Sequence, residues 1–373
     1  MKVLHLASQY PSSSVYKELF NHISKQRDIY QYVFCGNRKD SIKNRFIIDN
    51  DKIKFINKIT HSKISRILYY PRIIKVKRAV ENSVDMNSID IIHAHTLIGD
   101  GGTALLLKKK YNIDFVVSVR STDINGYLKK LPHSRLILKQ IIENAKKIIF
   151  ISPNAVEDIK KHLNKKIILE LEKKTVIIPN GINDYWLSNI SKHRNTKLDS
   201  IRFLQVSEFL PRKNIDFSIR IISELIKRGI KCNLDIVGDG VEKEKITTYI
   251  NDNNLSDSVN LLGKINNNEE MQKIYQNHDI FIMPSSGETF GLVYIEALSQ
   301  SLPIIYSVGT GVYGFFKEGT VGYGVIVGDV EDSINKIKKI IKNYDIISKR
   351  CSEEVCSFDW NKISNKILKI YEE

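Results

Sequence analysis

Ser285-Ser286-Gly287-Glu288-Thr289-Phe290-Gly291-Leu292-Val293-Tyr294-Ile295-Glu296-Ala297-Leu298 follows directly on the apolar run 280–283 and Pro284. A short apolar run, a Gly-containing turn and then apolar residues at helical spacing read as strand, loop and helix, with the helix opening at Phe290 or Gly291. The first N–H groups of such a helix have no partner within it and carry partial positive charge. They form a site for a diphosphate. Gly291 lets the phosphate approach the backbone closely. Helix side chains lean toward the N-terminus, so Glu296, one turn past Leu292, is directed back toward that anion, where vicinal hydroxyls of a ribose would meet it. Glu288 lies in the loop before the helix, on the other side of the phosphates.

Outward from this stretch the same theme repeats. Apolar runs at 3–6, 30–34, 91–93, 115–119 and 148–151 alternate with amphipathic stretches near 62–83, 99–110, 131–145 and 153–163. A second series, 203–206, 234–237, 259–262, 280–283 and 303–305, follows in the later half. Runs without clean polar alternation, spaced by helices, predict parallel sheets covered on both faces. Pro179-Asn180-Gly181 ends one series, so the domain boundary is expected in 180–200. Trp360, Ile363, Ile367, Leu368 and Tyr371 predict a closing amphipathic helix.

Composition sets the outer limits. A chain of 373 residues, 42% hydrophobic and 27% charged, fits two or three soluble domains. No run is long and apolar enough for a membrane span, and Met1-Lys2-Val3-Leu4 enters a strand without signal-peptide character. Cys35, Cys232, Cys351 and Cys356 show neither zinc nor disulfide spacing, which predicts a cytoplasmic protein. Residues 1–180 hold 33 Lys and Arg against 16 Asp and Glu, a net +17, and residues 181–373 a net −2. The first half is therefore suited to an anionic partner. Lys63, Arg66, Arg72, Lys75, Lys77 and Arg78, interleaved with Ile64, Ile67, Leu68, Tyr69, Tyr70, Ile73 and Ile74, would suit an anionic membrane surface, with Pro71 dividing two helices. The charge is spread, with no nucleic-acid module in view, and nucleic acid is not expected as a partner.

Two glutamates eight apart, straddling Phe290-Gly291-Leu292, resemble the motif of family 4 glycosyltransferases. Val237-Gly238-Asp239-Gly240, Pro179-Asn180-Gly181 and the Trp360 helix fall in that family's order and spacing. The resemblance implies the GT-B fold: two Rossmann-like, doubly wound α/β domains facing a central cleft. It implies residues 1–185 as an acceptor-side domain, 195–358 as a nucleotide-sugar donor domain, and 359–373 as a helix returning to the first. The implied activity is retaining transfer of a hexose or N-acetylhexosamine from a nucleoside diphosphate sugar, UDP in preference to GDP. The acceptor is expected to be a saccharide or a lipid-diphosphate-linked one, in cell-surface polysaccharide synthesis. No metal or other cofactor is implied. The alternatives are a nucleotide-sugar epimerase on the same fold, or a non-catalytic relative.

By this resemblance Glu288, Lys213 and Arg120 are the catalytic candidates. Lys213, within Pro211-Arg212-Lys213-Asn214, would contact the diphosphate as a mobile point charge, and Glu288 the transferred sugar. Donor binding is expected from Glu296 on the ribose, and from Arg212, Thr289, Phe290, Gly291, Leu292, Val293, Gly238 and Ile265. The acceptor side is expected to offer Asp123, Ser8 and Tyr10. Two positions depart from the family. Glu208 stands where an Arg is usual five residues before Lys213, and Arg120-Ser121 replace a His-Gly pair. Gly309-Thr310-Gly311 would line the phosphate side, and Gly99-Asp100-Gly101-Gly102, before a helix, would border the cleft. His93-Ala94-His95 ends a strand with no third metal ligand in sight.

Overall fold

The computed structural model describes residues 1–37, 46–60, 69–120, 122–128, 134–191 and 199–373. The chain forms two compact units, one of Met1–Gly181 with Trp360–Glu373, the other of Ile182–Asp359. Residues 182–185, assigned from the sequence to the first domain, thus fold with the second.

The first unit is a seven-stranded parallel sheet. Its strands are β1 (Lys2–Leu6), β2 (Tyr30–Asn37), β3 (Ile53–Ile59), β4 (Ile91–Ala94), β5 (Phe115–Val119), β6 (Lys147–Phe150) and β7 (Thr175–Ile177), in the order β3-β2-β1-β4-β5-β6-β7. Side chains alternate across a strand, and here both faces are apolar. Leu4, Leu6, Ile92, Val117 and Phe150 enter one core, which holds Ile73, Leu105, Ile141 and Leu171 from helices α2 (Tyr69–Glu81), α3 (Gly99–Tyr111), α4 (Ser134–Asn144) and α6 (Lys165–Lys174). Helix α5 is Pro153–Lys160, capped by the Ser152 hydroxyl. Val3, Val33, Ile91, Val116 and Ile149 point the other way, under α1 (Ser14–Gln26) and the C-terminal helix. Pro71 lies near the described start of α2. Residues 63–68 of the basic stretch lie outside the described residues.

The second unit is a six-stranded parallel sheet with the order β10-β9-β8-β11-β12-β13. After α7 (Asp184–Ser188) come β8 (Ile201–Val206), α8 (Ile215–Lys227), β9 (Cys232–Val237), α9 (Lys243–Asp252), β10 (Val259–Gly263), α10 (Asn268–Gln276), β11 (Ile280–Met283), α11 (Leu292–Ser299), β12 (Ile304–Ser307), β13 (Gly322–Val325), α12 (Val330–Lys342) and α13 (Tyr344–Glu354). The last helix, α14 (Trp360–Glu372), returns to the first unit. Local signals agree with the packing. In α12, Asp329 accepts from the Asp332 N–H at 2.9 Å, acids fill the first turn, lysines fill the last, and Ile334, Ile337 and Ile340 are buried. Each sheet reverses its winding between two adjacent strands, β1 and β4 in the first unit and β8 and β11 in the second, and a doubly wound sheet binds ligands outside the strand ends at such a point.

Candidate active site

In the second unit, a cavity of about 890 Å³ opens at the carboxyl ends of the strands around that switch point. Residues after β8 (Ser207, Glu208, Lys213), after β9 (Gly238, Asp239, Gly240, Val241), after β10 (Lys264, Ile265) and after β11 (Glu288, Gly291, Leu292, Val293) line it. The strands deliver these residues because each ends at the same edge of a parallel sheet.

Helix α11 starts at Leu292, a residue or two later than expected, because Gly291 takes φ 82° as its cap. A Cβ there would lie 2.7 Å from the Tyr294 ring, so the loop can turn this tightly only at glycine. Gly238 is more constrained still. Its φ is 147°, and a Cβ would lie 1.8 Å from the Ser207 carbonyl oxygen. Gly238→Ala is expected to destabilise the second unit by at least about 2 kcal/mol, visible as a lowered melting temperature. An unchanged melt would refute the close approach of β9 to the 207 loop.

Glu288 gathers the charged groups. Its Oε1 accepts from Lys213 Nζ, from Arg212 Nη1 at 3.0 Å and from Ser285 Oγ at 3.3 Å. Its backbone is fixed by Thr310, whose hydroxyl accepts from the Glu288 N–H and donates to the Glu288 carbonyl, both at 2.8 Å. Glu208, in the position where the family pattern has Arg, lines the cavity and is exposed.

Glu296 lies one turn behind the wall made by Leu292 and Val293. Tyr275 donates its hydroxyl to Glu296 Oε2 at 3.1 Å, and burial pushes the Glu296 carboxyl up to about 7. Thr289 is half-buried, and the side chain of Phe290 is buried against Phe315 and Phe358. Phe290 therefore serves packing through its side chain and can meet a ligand only through its backbone.

The remaining candidates belong to the first unit. Arg120 Nη1 donates to Asn180 Oδ1 at 3.0 Å, and its guanidinium lies 5.3 Å from the Tyr16 ring centre. Asp123, expected to meet the acceptor, is fully buried. Its carboxylate accepts from the N–H groups of Leu97, Ile98 and Arg120, each at 2.9 Å. That makes it a staple for the loops after β4 and β5. Tyr10 is likewise core: it is fully buried against Phe20 and Phe55, and its hydroxyl accepts from the Ile48 N–H at 2.7 Å. Ser8 is half-buried beside Asp100, to which its hydroxyl donates at 3.3 Å. Burial pushes the Asp100 carboxyl up to about 7. Gly99 through Gly102 form the opening of α3 itself rather than a loop before it. Ser121 lies outside the described residues.

The third histidine that the sequence did not offer comes from β1. His5, His93 and His95 are fully buried, with ring nitrogens within 4.8 Å of one another, the one such grouping of potential metal ligands among the described residues. His5 Nδ1 and His95 Nε2 are 3.0 Å apart, and His93 spends its two nitrogens on Tyr371 Oη (2.6 Å) and Ser118 Oγ (2.8 Å). Burial holds all three rings well below the usual histidine pKa, His5 at about 3. The His5–His95 pair joins β1 to the residue after β4, and His93 separately joins β4 to β5 and α14.

The comparisons cover both units. Residues 14–185 match the Glycosyltransferase Family 4 model, and residues 188–355 match Glycosyl transferases group 1. An uncharacterized glycosyltransferase of Methanocaldococcus jannaschii is 25% identical over 100% of this chain and 98% of its own length. The alpha-monoglucosyldiacylglycerol synthase of Acholeplasma laidlawii is 27% identical over 73% of this chain and 71% of its own. A crystal structure of an Anabaena protein in complex with UDP matches the fold with TM-score 0.74 and 17% identity, covering 100% of both chains. The two doubly wound units together with these matches place the chain in the family 4 glycosyltransferases, with the GT-B fold.

Proposed function

We propose that this enzyme transfers a hexose or N-acetylhexosamine from a nucleoside diphosphate sugar, UDP in preference to GDP, with retention at the anomeric carbon. The acceptor is a saccharide or a lipid-linked one, used in cell-surface polysaccharide assembly. The observation that carries the donor reading is the cavity of the second unit, walled by the opening residues of α11 and by Lys213. The diphosphate sits against those N–H groups and the ammonium. Fixed dipoles there stabilise the charge that develops on the leaving group. Glu296 takes the ribose hydroxyls in place of Tyr275, Glu288 takes hydroxyls of the sugar, and the departing phosphate oxygen accepts the acceptor's proton. The UDP in the Anabaena complex supports the choice of base.

The name of the Acholeplasma relative, a glucosyldiacylglycerol synthase, supports a lipid-linked acceptor. So does the outer face of α2, where Tyr70 and Ile74 are exposed beside Lys75 and Arg78. No described helix is long and apolar enough to cross a membrane.

A thermal-shift screen against UDP, GDP, CDP and their common sugar conjugates tests the donor reading. One nucleotide is expected to raise the melting temperature of the wild type and to have at most a small effect on Glu296→Ala. Equal shifts in both proteins would remove Glu296 from the donor site, and no shift with any nucleotide would overturn the reading.

A further inference from the structure

The contacts of Glu288 pose a problem for a site that must bind a diphosphate. One carboxylate oxygen holds both Lys213, which lines the cavity with the opening of α11, and Arg212. Lys213 is only 8% exposed, and its other recorded neighbour is the Met283 sulfur at 3.9 Å, so Glu288 is the counter-ion of a buried ammonium. Lys264 is a further cation in the lining, but Glu208 and Asp239 line the same cavity, so its charged lining holds no excess of positive charge for an incoming anion.

We propose, resting on the donor reading above, that Glu288 acts as an internal anion. It must surrender Lys213 and Arg212 to the diphosphate, and through this exchange it makes the site favour the sugar-bearing donor over the bare nucleoside diphosphate. Two anions compete for the same two cations. A carboxylate displaced from them in a half-buried site needs new donors, since leaving it unpaired beside phosphate charge is costly. The hydroxyls of a transferred sugar supply those donors. A nucleoside diphosphate without its sugar does not, so after transfer Glu288 reclaims the cations and product release is favoured. The loop can make the exchange without unfolding, because Thr310 holds the Glu288 backbone independently of its carboxylate.

Calorimetric titration of the full chain with UDP (or GDP, should the screen select it), and with the matching nucleoside, tests this. Glu288→Gln and Glu288→Ala are each expected to bind the diphosphate about tenfold or more tightly than wild type, because a like charge beside the phosphates has been removed. Their affinity for the nucleoside is expected to stay within about twofold of wild type. Diphosphate affinity that is unchanged or weaker in the variants, with the wild type binding normally, overturns the proposal and leaves the donor reading intact. Failure of wild type and variants alike to bind any of the nucleoside diphosphates overturns both. Melting curves of the two variants guard against loss of fold.

Discussion

Removal of residues 360–373 is expected to leave the first unit unable to fold. Helix α14 buries Trp360, Ile363, Ile367, Leu368, Ile370 and Tyr371, each at most 5% exposed, against α1 and one face of the sheet. Burial of each such side chain is worth about 1.5–3 kcal/mol, so the six together contribute at most about 9–18 kcal/mol against an extended chain. That is comparable with the whole stability of a typical domain, about 5–15 kcal/mol. The loss also strips His93 Nδ1 of its Tyr371 hydroxyl. A truncated chain examined by limited proteolysis should yield a resistant fragment near 182–359 and rapid cleavage within 1–181. Equal resistance of both parts would sink the argument. Tyr371→Phe, which removes only the hydroxyl, should cost about 1–3 kcal/mol.

The second large effect concerns acid. His5, His93 and His95 stay neutral in the native state, whereas in the unfolded chain they take up protons below pH about 6.5. Below that pH each costs about 1.4 kcal/mol of stability per pH unit, because the unfolded state binds more protons. Burial acts on three acids with the opposite sign. Asp100 and Glu296 are raised to about 7 and Asp123 to about 6, so the native state keeps protons that the unfolded chain releases above pH about 4. From pH 6 to 5 the two groups oppose each other, and stability is expected to stay nearly level. Below about pH 4 the unfolded acids are protonated too, so their compensation ends. The histidine effect is then joined by Glu81, where burial is outweighed by hydrogen bonds from Lys110 and Lys77 that hold the carboxyl at about 2, and stability falls. Asp100→Asn combined with Glu296→Gln removes two of the compensating protons. Between pH 6 and 5 the double variant should then lose about 3 kcal/mol relative to wild type in denaturant titrations. A difference that does not change with pH would show that Asp100 and Glu296 do not keep their protons in the native state.

Most of the strand–helix alternation was legible, because a strand covered on both faces must be apolar throughout: Ile280–Met283 is wholly buried and flanked by turn residues. The edge strands β3 and β13 were not. In β3, Lys54, Asn57 and Lys58 break the apolar run because an edge needs cover on fewer sides, and β13 carries Gly322 and Gly324. The spacing of Glu288, Gly291 and Glu296 pointed to one loop–helix junction, and Glu288 and Gly291 do share a cavity. Sequence distance hid the rest. Thr310, Tyr275 and the pairing of His5 with His95 join residues 22, 21 and 90 positions apart, and no local pattern encodes such partners. Asp123 and Tyr10 misled for a different reason: a polar residue in a strand-end loop reads alike whether it faces a ligand or staples the backbone, and only burial separates the two.

The return of α14 to the first unit also bears on synthesis. Residues 1–181 leave the ribosome without the helix that covers Val3, Ile91, Val116 and Ile149. The continuous segment 182–359 is made, and can fold, before that helix exists. At about 5–20 residues per second the wait is roughly 10–40 s. Throughout it the apolar residues of that face have only α1 to pack against, so the nascent chain presents a sticky surface that a holding chaperone would recognise.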